Sequence, residues 1–425
     1  MKDFINVGLL GSGTVGGGVI KVLENNGEMI ARKVGKPIKL TKVFGRNIEK
    51  MSANFGSAYE YTTNVDDILE DPEIDIVVEL IGREHPAMEY MSKALEQGKQ
   101  VVTANKDVIA HYGKKLFDIA GEHNADIMFE GAVCGGIPII GPMKSTMAAN
   151  EVKSLMGIVN GTTNYMLSKM TDEGLDYASV LKEAQEKGYA ESDPTADVGG
   201  FDAARKAVIL ASIAFNMPIS LKDVEIDGIQ NVDACDIEYV ARLGYAVKLL
   251  AIAKNDPVNG VSISVGPTMI PKKHPLASVG GAYNAVFVNG DAIGEAMFLG
   301  LGAGRFPTAS SVVGDIMEAA RNLINNDKGR IGFTCYKEKK ICSAEKNVYP
   351  AYIRLNVLDK PGVLAAISSV FGSQSVSIRS VIQTNEKGKN AYLVFVTHAV
   401  AAANLKMSLQ ILEVLPVVDK ISCVI

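Results

Sequence analysis

The stretch FINVGLLGSGTVGGGVIKVL, from Phe4 to Leu23, indicates how the N-terminal part of the chain folds. Its apolar segment is a predicted strand, and a GxGxxG pattern follows it and opens an amphipathic helix. Glycines at these positions permit a tight turn and let backbone N–H groups at the helix N-terminus approach a pyrophosphate. A turn with a purely structural role is the alternative. We predict a dinucleotide-binding turn whose cofactor contacts are Gly11, Gly13, Thr14, Val15 and Gly16.

Apolar strands and helices continue to alternate after this turn. The segments DIVVELIG (75–82) and QVVTANKD (100–107) are predicted strands, separated by a helix from Pro86 to Gln97. Continuous apolar strands that alternate with helices indicate a parallel, doubly wound sheet, whose ligands gather at the carboxyl ends of the strands. Lys106 follows one of those ends, and the turn at 103–105 is expected to direct it inward. A lysine in a surface loop is the alternative.

The end of the second predicted strand bears on the choice of cofactor. Sites that prefer NAD usually end this strand in Asp or Glu, which binds the ribose hydroxyls. Here the strand ends in Gly45-Arg46, with Lys50 nearby. A guanidinium matches the oxygens of a 2′-phosphate, so Arg46 favours NADP over NAD. A solvated loop arginine is the alternative.

Length and composition exclude several classes of protein. A chain of 425 residues is expected to form two or three domains. The net charge of -5 argues against nucleic-acid binding, and no apolar run reaches membrane-spanning length. The five cysteines are scattered without a CxxC pair, which disfavours disulfides and zinc. Together with an N-terminus unlike a signal peptide, these features predict a cytoplasmic protein.

Glu130 precedes the glycine-rich segment GAVCGGIP. Such a loop exposes backbone carbonyls, and a carboxylate beside carbonyls suits a hard monovalent or divalent cation. An ordinary capping or paired carboxylate is the alternative interpretation, and composition alone favours it.

The segment KGYAESDPTADVGGFDAARK, from Lys187 to Lys206, concentrates acidic residues before an apolar helix. Asp202 and Lys206 are four residues apart and so share one helical face. A partly desolvated lysine loses proton affinity, neighbouring carboxylates restore some of it, and the combination suits acid–base chemistry. Glu191 and Asp197 are suited to bind a cationic amino group. The alternatives are a solvated acidic loop and an ion pair on the first turns of the helix.

Taken together, these motifs resemble the homoserine dehydrogenases over nearly the whole chain. The resemblance rests on the segments GLLGSGTVGGGV, VVTANKD, EGAVCGGIPII, NGTTNY, GYAESDPTADVGGFDAARK and GLGAGRFPTASSVVGDI. It implies a reversible, NAD(P)-dependent interconversion of L-homoserine and L-aspartate 4-semialdehyde, on the route to threonine, isoleucine and methionine. No redox metal is needed, because the cofactor supplies the hydride.

The resemblance also implies roles for individual residues. Lys206 matches the general acid/base, and Lys106 matches a second lysine that polarises the substrate oxygen near the nicotinamide. Glu191 matches the residue that binds the substrate amino group. Asp197 and Asp202 match the acidic residues around the substrate and Lys206.

A structural sodium ion is implied as well. Glu130 matches its side-chain ligand, and Val133, Gly135 and Ile137 match its backbone-carbonyl ligands. Gly302 matches a backbone contact to the cofactor. Cys134 departs from the family pattern, because this position often holds another small residue. The stretch 25–39 is a second departure, since it lengthens the gap before the second strand.

The C-terminal segment predicts a separate small domain. Its strands and helices follow the order β-α-β-β-α-β of a ferredoxin-like fold, with a turn at 386–389 between the two middle strands. The joint DKPGVLAAI resembles the start of an ACT domain, in which the turn at Pro361-Gly362 contacts an amino-acid ligand. Threonine is the expected effector. A role in dimerisation without ligand binding is the alternative.

The predicted organisation has four parts. Residues 1–135 form a Rossmann-type NAD(P)-binding domain completed by 306–330, and an α+β domain for substrate binding, catalysis and dimerisation spans 136–305. A linker at 331–348 precedes the ACT domain at 349–425. We expect a homo-oligomer, a dimer or a tetramer, because small sheets with exposed edges favour pairing.

Two other functions remain open at this stage. An aspartate-semialdehyde dehydrogenase would use Cys134 as its acyl-enzyme nucleophile. A regulator that binds the cofactor and senses amino acids without catalysis would not need Lys106, Lys206 or the acidic cluster.

Overall fold

The structure, a computed structural model, describes residues 3–328, 334–385 and 390–425. The predicted turn at 386–389 lies outside these ranges, and so do residues 329–333, where the predicted segment 306–330 meets the predicted linker. In the part of the chain that is described, no helix has both the length and the apolar character needed to cross a bilayer.

The N-terminal region alternates strands and helices as the apolar periodicity predicts. Its elements are β1 (Ile5–Leu10), α1 (Thr14–Val34), β2 (Ile38–Phe44), α2 (Ile48–Phe55), β3 (Glu60–Thr62), α3 (Asp66–Leu69), β4 (Ile76–Glu79), α4 (Ala87–Glu96), β5 (Gln100–Thr103), α5 (Lys106–Glu122), β6 (Ile127–Met128) and α6 (Ile140–Lys144). The strands form a parallel sheet in the order β3-β2-β1-β4-β5-β6. The direction of winding reverses between β1 and β4, and ligands of such sheets bind beyond the carboxyl ends of the strands at that point. The predicted doubly wound parallel sheet is confirmed.

The middle region mixes helices with antiparallel strands. Its elements are β7 (Val152–Ile158), α7 (Gly161–Glu173), α8 (Tyr177–Glu186), α9 (Thr195–Val198), α10 (Phe201–Phe215), β8 (Val224–Ile226), α11 (Ala234–Arg242), β9 (Tyr245–Asp256), β10 (Gly260–Pro271), β11 (Tyr283–Gly290), β12 (Gly294–Leu301) and α12 (Arg305–Asn325). β11 pairs antiparallel with β12 and with β7, while β10 pairs antiparallel with β9 and parallel with β8. The predicted α+β character of this region is confirmed.

The C-terminal region has the predicted ferredoxin-like order. Its elements are β13 (Val348–Tyr349), β14 (Tyr352–Leu358), α13 (Val363–Ser373), β15 (Ile378–Asn385), β16 (Asn390–Thr397), β17 (Val400–Ala401), α14 (Ala402–Glu413) and β18 (Val418–Val424). The antiparallel sheet has the order β15-β16-β14-β18, and β13 pairs with β17. Ile353, Leu355, Phe371 and Phe395 belong to the buried core of this region.

Contacts between Cα atoms divide the chain into two compact units. Unit 1 comprises Met1–Gly161, Asp202–Lys222 and Ala282–Lys339, and unit 2 comprises Thr162–Phe201, Asp223–Gly281 and Lys340–Ile425. The parallel sheet and α12 lie in unit 1, whereas β14 and the strands paired with it lie in unit 2. The predicted domain boundaries at 135, 305 and 348 differ from this division and remain predictions.

Helices α1 and α12 pack closely in unit 1 because α1 begins with a run of glycines. A Cβ atom on Gly18 would lie 2.6 Å from the carbonyl oxygen of Arg305 and 2.9 Å from the Cβ of Ala309. Arg305 also donates a hydrogen bond to the carbonyl oxygen of Gly17 at 3.2 Å. The missing side chains therefore let α12 cover α1, and apolar residues of both helices share a core with β1 and β4.

Candidate active site

The glycine-rich turn has the geometry that phosphate binding requires. Gly11 has a φ of 100°, and a Cβ on Gly16 would lie only 2.0 Å from the carbonyl oxygen of Gly11. A Cβ on Gly13, in contrast, would meet no atom within 4 Å. The first and third glycines therefore fix the turn, while the second leaves open the approach to the N-terminus of α1, which begins at Thr14 and continues through Val15.

A cavity of about 930 Å³ opens beside this turn. Its lining includes the turn itself, Gly45, Arg46 and Lys50 after β2, and residues 80–83 after β4. Arg46 is exposed at its wall. A cavity of this volume is large enough for a dinucleotide or a similar cofactor, and its basic side chains offer partners for phosphate oxygens. The residues present therefore fit a nicotinamide dinucleotide.

Lys106 lies at the carboxyl end of β5, as predicted, and is the first residue of α5. The preceding residue, Asn105, caps this helix by accepting a hydrogen bond from the backbone N–H of Val108 at 3.2 Å. Because Asn105 is buried, the cap fixes the position of Lys106 relative to the sheet. The lysine side chain keeps 32% of its surface exposed.

Two of the predicted site lysines, Lys106 and Lys206, contact the carboxylate of a third predicted residue, Asp202. Lys106 Nζ lies 3.3 Å from Asp202 Oδ1, and Lys206 Nζ lies 2.7 Å from Asp202 Oδ2. Lys206 also donates a hydrogen bond to the carbonyl oxygen of Val159 at 2.7 Å. Asp202 and Lys206 are one turn apart near the start of α10, so the helix itself sets their spacing.

The environment of Asp202 keeps it ionised. Only 8% of the residue is exposed, and this burial by itself would raise the pKa of the carboxyl group. The charges of Lys206 and Lys106 outweigh burial, and the pKa of Asp202 is lowered well below its ordinary value. The site therefore presents two ammonium groups around one carboxylate in a largely desolvated setting, which is the arrangement that acid–base and electrostatic catalysis require.

Asn160 is a member of this cluster that the sequence analysis did not single out. Its Nδ2 donates to Asp202 Oδ2 at 2.9 Å, and the residue is buried. Asn160 is the first residue of NGTTNY, one of the segments that carry the family resemblance, and its direct partner is the carboxylate of Asp202. An asparagine ahead of a glycine indicates a turn in the sequence, and only the fold reveals which side chain it meets.

Glu130 caps the N-terminus of α6. Its Oε1 accepts hydrogen bonds from the backbone N–H groups of Ile139 at 2.6 Å and Ile140 at 2.8 Å, and its Oε2 accepts one from Gly141 at 2.6 Å. The strand before it, β6, has two residues and ends at Met128, and a 3-10 turn begins at Glu130. The capping role considered for this residue is therefore present in the structure.

The carbonyl groups predicted to surround a sodium ion belong to buried residues. Val133, Gly135 and Ile137 are all buried, and within the described residues no backbone N–H donates to any of their carbonyl oxygens. Buried carbonyls normally find a partner. Three buried carbonyl oxygens offer the kind of oxygen ligand that a hard cation prefers.

Cys134, between these carbonyls, is a poor candidate for a nucleophile. The residue is only 1% exposed, and burial raises the pKa of its thiol to about 11. The nucleophilic form of cysteine is the thiolate, which this environment suppresses at neutral pH. The sulfur accepts a hydrogen bond from Asn284 Nδ2 at 3.7 Å.

Gly302 is buried beside the same asparagine. A Cβ atom at this position would lie 2.0 Å from Asn284 Nδ2, so no side chain can be accommodated without displacing it. The close packing of Asn284 therefore requires glycine here, and the predicted contact of Gly302 with the cofactor remains a prediction.

The remaining predicted site residues, Glu191 and Asp197, belong to unit 2. Glu191 is exposed in the segment between α8 and α9, and its carbonyl oxygen accepts a hydrogen bond from Gln185 at 3.1 Å. Asp197 is half-buried in α9, and its carbonyl oxygen accepts a hydrogen bond from the N–H of Gly200 at 3.0 Å. Their roles in binding the substrate remain a prediction.

Comparison with known proteins gives a consistent family assignment. Residues 11–130 match the model of the homoserine dehydrogenase NAD-binding domain, residues 138–317 match the homoserine dehydrogenase model, and residues 351–416 match the ACT domain model. The homoserine dehydrogenase of Bacillus subtilis is 41% identical over 98% of this chain and 96% of its own length.

Solved structures agree with this assignment. A homoserine dehydrogenase from Thiobacillus denitrificans superimposes with a TM-score of 0.94 at 40% identity, covering 99% of this chain and 97% of that one. A hyperthermophilic archaeal homoserine dehydrogenase in complex with NADPH superimposes with a TM-score of 0.64 at 28% identity, covering 74% of this chain and 97% of that one.

The family matches and the relatives together define an oxidoreductase that uses a nicotinamide cofactor and has an ACT domain in its C-terminal region. The chain belongs to the homoserine dehydrogenase family.

Proposed function

We propose that the chain interconverts L-homoserine and L-aspartate 4-semialdehyde reversibly, in the route that leads to threonine, isoleucine and methionine. The observation that supports this best is the pair of ammonium groups on the two oxygens of Asp202, at 3.3 Å for Lys106 and 2.7 Å for Lys206. Reduction of an aldehyde places negative charge on its oxygen and then requires a proton there. Two positioned ammonium groups meet both needs.

Lys206 is the general acid in the reducing direction and the general base in the oxidising direction. Asp202 and the carbonyl oxygen of Val159 accept hydrogen bonds from its ammonium group, and these contacts orient Nζ. The ammonium donates its proton to the substrate oxygen as the carbon is reduced, and the amine recovers a proton from solvent afterwards. A positioned acid–base group of this kind contributes about a hundredfold or more to the rate.

Lys106 stabilises the developing charge on the same oxygen. Its side chain is more exposed than that of Lys206, which suits a group that reaches toward substrate and cofactor. Asp202 balances the charge of the two lysines, and Asn160 holds its carboxylate in place. When bound, a dihydronicotinamide supplies the hydride for the aldehyde carbon.

Glu191 binds the substrate ammonium group, and Asp197 adds negative charge around it. The exposure of Glu191 leaves its carboxylate accessible to a ligand.

NADP is the proposed cofactor, with NAD as the less favoured form. Gly11, Gly13, Thr14, Val15 and Gly16 hold the pyrophosphate, and Gly302 and Lys106 lie toward the nicotinamide. Arg46, exposed at the wall of the cavity, binds the 2′-phosphate.

A structural sodium ion is proposed at Glu130 and the carbonyls of Val133, Gly135 and Ile137. The support is the three buried carbonyls that accept no backbone hydrogen bond in the described part of the chain. Thermal unfolding in sodium chloride, compared with choline chloride at equal ionic strength, tests it. A melting temperature that is higher only with sodium supports the site, and equal values in both salts contradict it.

Threonine is the proposed effector of the ACT domain. Gly362 adopts a φ of 88° at the start of α13, and the loop before it is exposed. Inhibition of the wild-type enzyme by threonine, lost in a Gly362→Val variant that keeps its activity, supports this role. If threonine alters neither activity nor melting temperature, the domain serves assembly only.

A homo-oligomer, a dimer or a tetramer, is proposed from the surface of β12. Met297, Leu299 and Leu301 are 38%, 55% and 45% exposed along this strand. Apolar side chains in a row on an exposed strand mark an interface. The molar mass measured by light scattering for the wild type and for Leu299→Glu tests this: the wild type is expected above monomer mass and the variant below the wild type.

Oxidation of L-homoserine, followed through the absorbance of the reduced nicotinamide, tests the proposed reaction. Turnover with NADP that exceeds turnover with NAD is the expected result. A Cys134→Ala variant separates the aspartate-semialdehyde alternative, because a phosphate-dependent acylating activity would vanish without the thiol whereas homoserine oxidation should persist. Absence of turnover with both cofactors would favour a non-catalytic sensor.

A further inference from the structure

Glu79 is a buried carboxylate at the edge of the parallel sheet where the cofactor cavity opens. It is the last residue of β4 and has no exposed surface, with a relative exposure of 0%. An isolated buried carboxylate is costly, so such a group is normally retained with several hydrogen-bond donors. Here the donors come from two different segments of unit 1.

The first segment follows β4 directly. Glu79 Oε1 accepts hydrogen bonds from the backbone N–H groups of Ile81 at 2.7 Å and Gly82 at 3.2 Å. Both of these residues line the cavity of about 930 Å³. One carboxylate oxygen therefore fixes the backbone that forms one wall of the cofactor cavity.

The second segment leads to Lys106. Glu79 Oε2 accepts a hydrogen bond from Thr103 Oγ1 at 2.7 Å, and the same hydroxyl oxygen accepts one from the backbone N–H of Asn105 at 2.9 Å. Asn105 caps α5 and also donates to the carbonyl oxygen of Arg83 at 2.7 Å. Because Arg83 is again a cavity residue, the hydrogen bonds close a ring between the cavity wall and the residue before Lys106.

We infer that Glu79 is a positioning residue that sets the cofactor-cavity wall through Ile81 and Gly82 and the location of Lys106 through Thr103 and Asn105. The inference rests on the proposed role of Lys106 in the reaction. Each carboxylate oxygen serves one of the two segments, so the two effects can be separated by substitution.

Thr103 allows the half that concerns Lys106 to be tested alone. Thr103→Val removes the hydroxyl and leaves the hydrogen bonds of Glu79 to Ile81 and Gly82 in place. We expect kcat for homoserine oxidation to fall about tenfold, as for loss of one buried hydrogen bond. The Kd for NADPH, measured without substrate by fluorescence, should stay within about twofold of the wild type. Thr103→Ser retains the hydroxyl and should restore kcat.

Glu79→Gln tests both halves together. The amide keeps the shape of the side chain but has one acceptor oxygen, so it cannot accept from both segments. We expect the Kd for NADPH to rise about tenfold and kcat to fall at least as far as in Thr103→Val. Thr41→Val is the matched control, because the hydroxyl of Thr41 donates to the carbonyl oxygen of Val7 in the same sheet, at 3.4 Å. It should change neither quantity.

Kinetic constants are normalised to the folded fraction measured by circular dichroism. If Thr103→Val keeps the wild-type kcat, or Glu79→Gln keeps the wild-type Kd, the inference is overturned. It is equally overturned if all losses disappear after normalisation, because the residues would then be merely structural. A wild-type enzyme that does not oxidise homoserine would instead contradict the proposed function, while the Kd of Glu79→Gln would still test the link to the cavity wall.

Discussion

Lys106 and Lys206, one hundred positions apart in the chain, both contact the carboxylate of Asp202, one on each oxygen, at 3.3 Å and 2.7 Å. Lys106 begins the helix after β5, and Lys206 lies in the second turn of α10. A carboxylate shared by two ammonium groups in a largely buried setting reduces the repulsion between them. This shared contact is the basis of the proposal that both positive charges act on one substrate oxygen.

Lys106→Ala should lower kcat by roughly a hundredfold, the loss typical when one group that stabilises a developing oxyanion is removed. The Kd for NADPH should change much less, since the cavity wall is unaltered. Lys114→Ala is the matched control, because this lysine lies on the same helix with 65% of its side chain exposed. Steady-state kinetics of both variants check the prediction. An equal kcat in the two variants would contradict it.

Arg46→Ala should weaken NADPH binding and leave NADH binding nearly unchanged. A charge-assisted contact with phosphate is worth about 1.5–3 kcal/mol, so we expect a rise in Kd of roughly tenfold to a hundredfold for NADPH. Fluorescence titration with both cofactors measures the difference. Arg32→Ala, an exposed position in the last turn of α1, is the control. If both cofactors lose affinity equally, Arg46 does not contact the 2′-phosphate.

The stability of unit 2 should depend on pH through Lys248. This lysine is 6% exposed, donates hydrogen bonds to the carbonyl oxygen of Val279 and to Asn164, and burial lowers its pKa from 10.5 to about 8. Between about pH 8 and pH 10.5, Lys248 is protonated in the unfolded chain and neutral in the folded chain. The contribution of Lys248 to the free energy of unfolding therefore rises with pH over this interval.

Lys248→Met removes that dependence. The free energy of unfolding of the wild type relative to this variant should therefore rise between about pH 8 and pH 10.5, by at most about 3 kcal/mol, and stay level below pH 8. Urea unfolding at several pH values measures it. A difference that stays constant or falls over this interval is incompatible with a buried, easily deprotonated lysine.

Arg354→Met should destabilise unit 2 strongly. Arg354 is 2% exposed in β14, and its guanidinium contacts both oxygens of Asp236, at 2.7 Å and 3.0 Å, at the start of α11. Removing one partner of a buried ion pair costs about 3–5 kcal/mol. Arg242→Ala breaks an exposed pair on the same helix and should cost less than about 1 kcal/mol. Equal shifts of the unfolding midpoint in Arg354→Met and Arg242→Ala would contradict the expectation that the buried ion pair contributes more to stability than the exposed one.

The fold was predictable because each part has a clear local pattern. The run Ile5–Leu10 is apolar throughout and is buried throughout, and the glycines after it mark the turn. The order of helices and strands from Tyr352 onward likewise follows from periodicity. Arg354 was missed, because a basic residue in a strand is normally expected to be exposed, and its acidic partners lie more than a hundred positions earlier in the chain.

The candidate site was only partly predictable for the same reason. Lys106, Asp202 and Lys206 could be proposed from motifs, but Asn160 and Glu79 act through partners that are distant in sequence. One signal was available for Glu79: a single carboxylate ends an otherwise apolar strand, at the edge where ligands bind. The role of Glu130 in capping α6 was one of two alternatives, and the backbone N–H groups that bind it come from residues about ten positions later.

The role of Lys206 as the proton donor is tested by Lys206→Ala, through kcat for homoserine oxidation measured together with the Kd for NADPH. Lys206 lies 2.7 Å from Asp202 and from the carbonyl of Val159. If it transfers the proton, kcat should fall by at least about a hundredfold while the protein stays folded and binds the cofactor normally. A folded variant with near-normal kcat would show that the lysine forms a structural ion pair with Asp202 and takes no part in the chemistry.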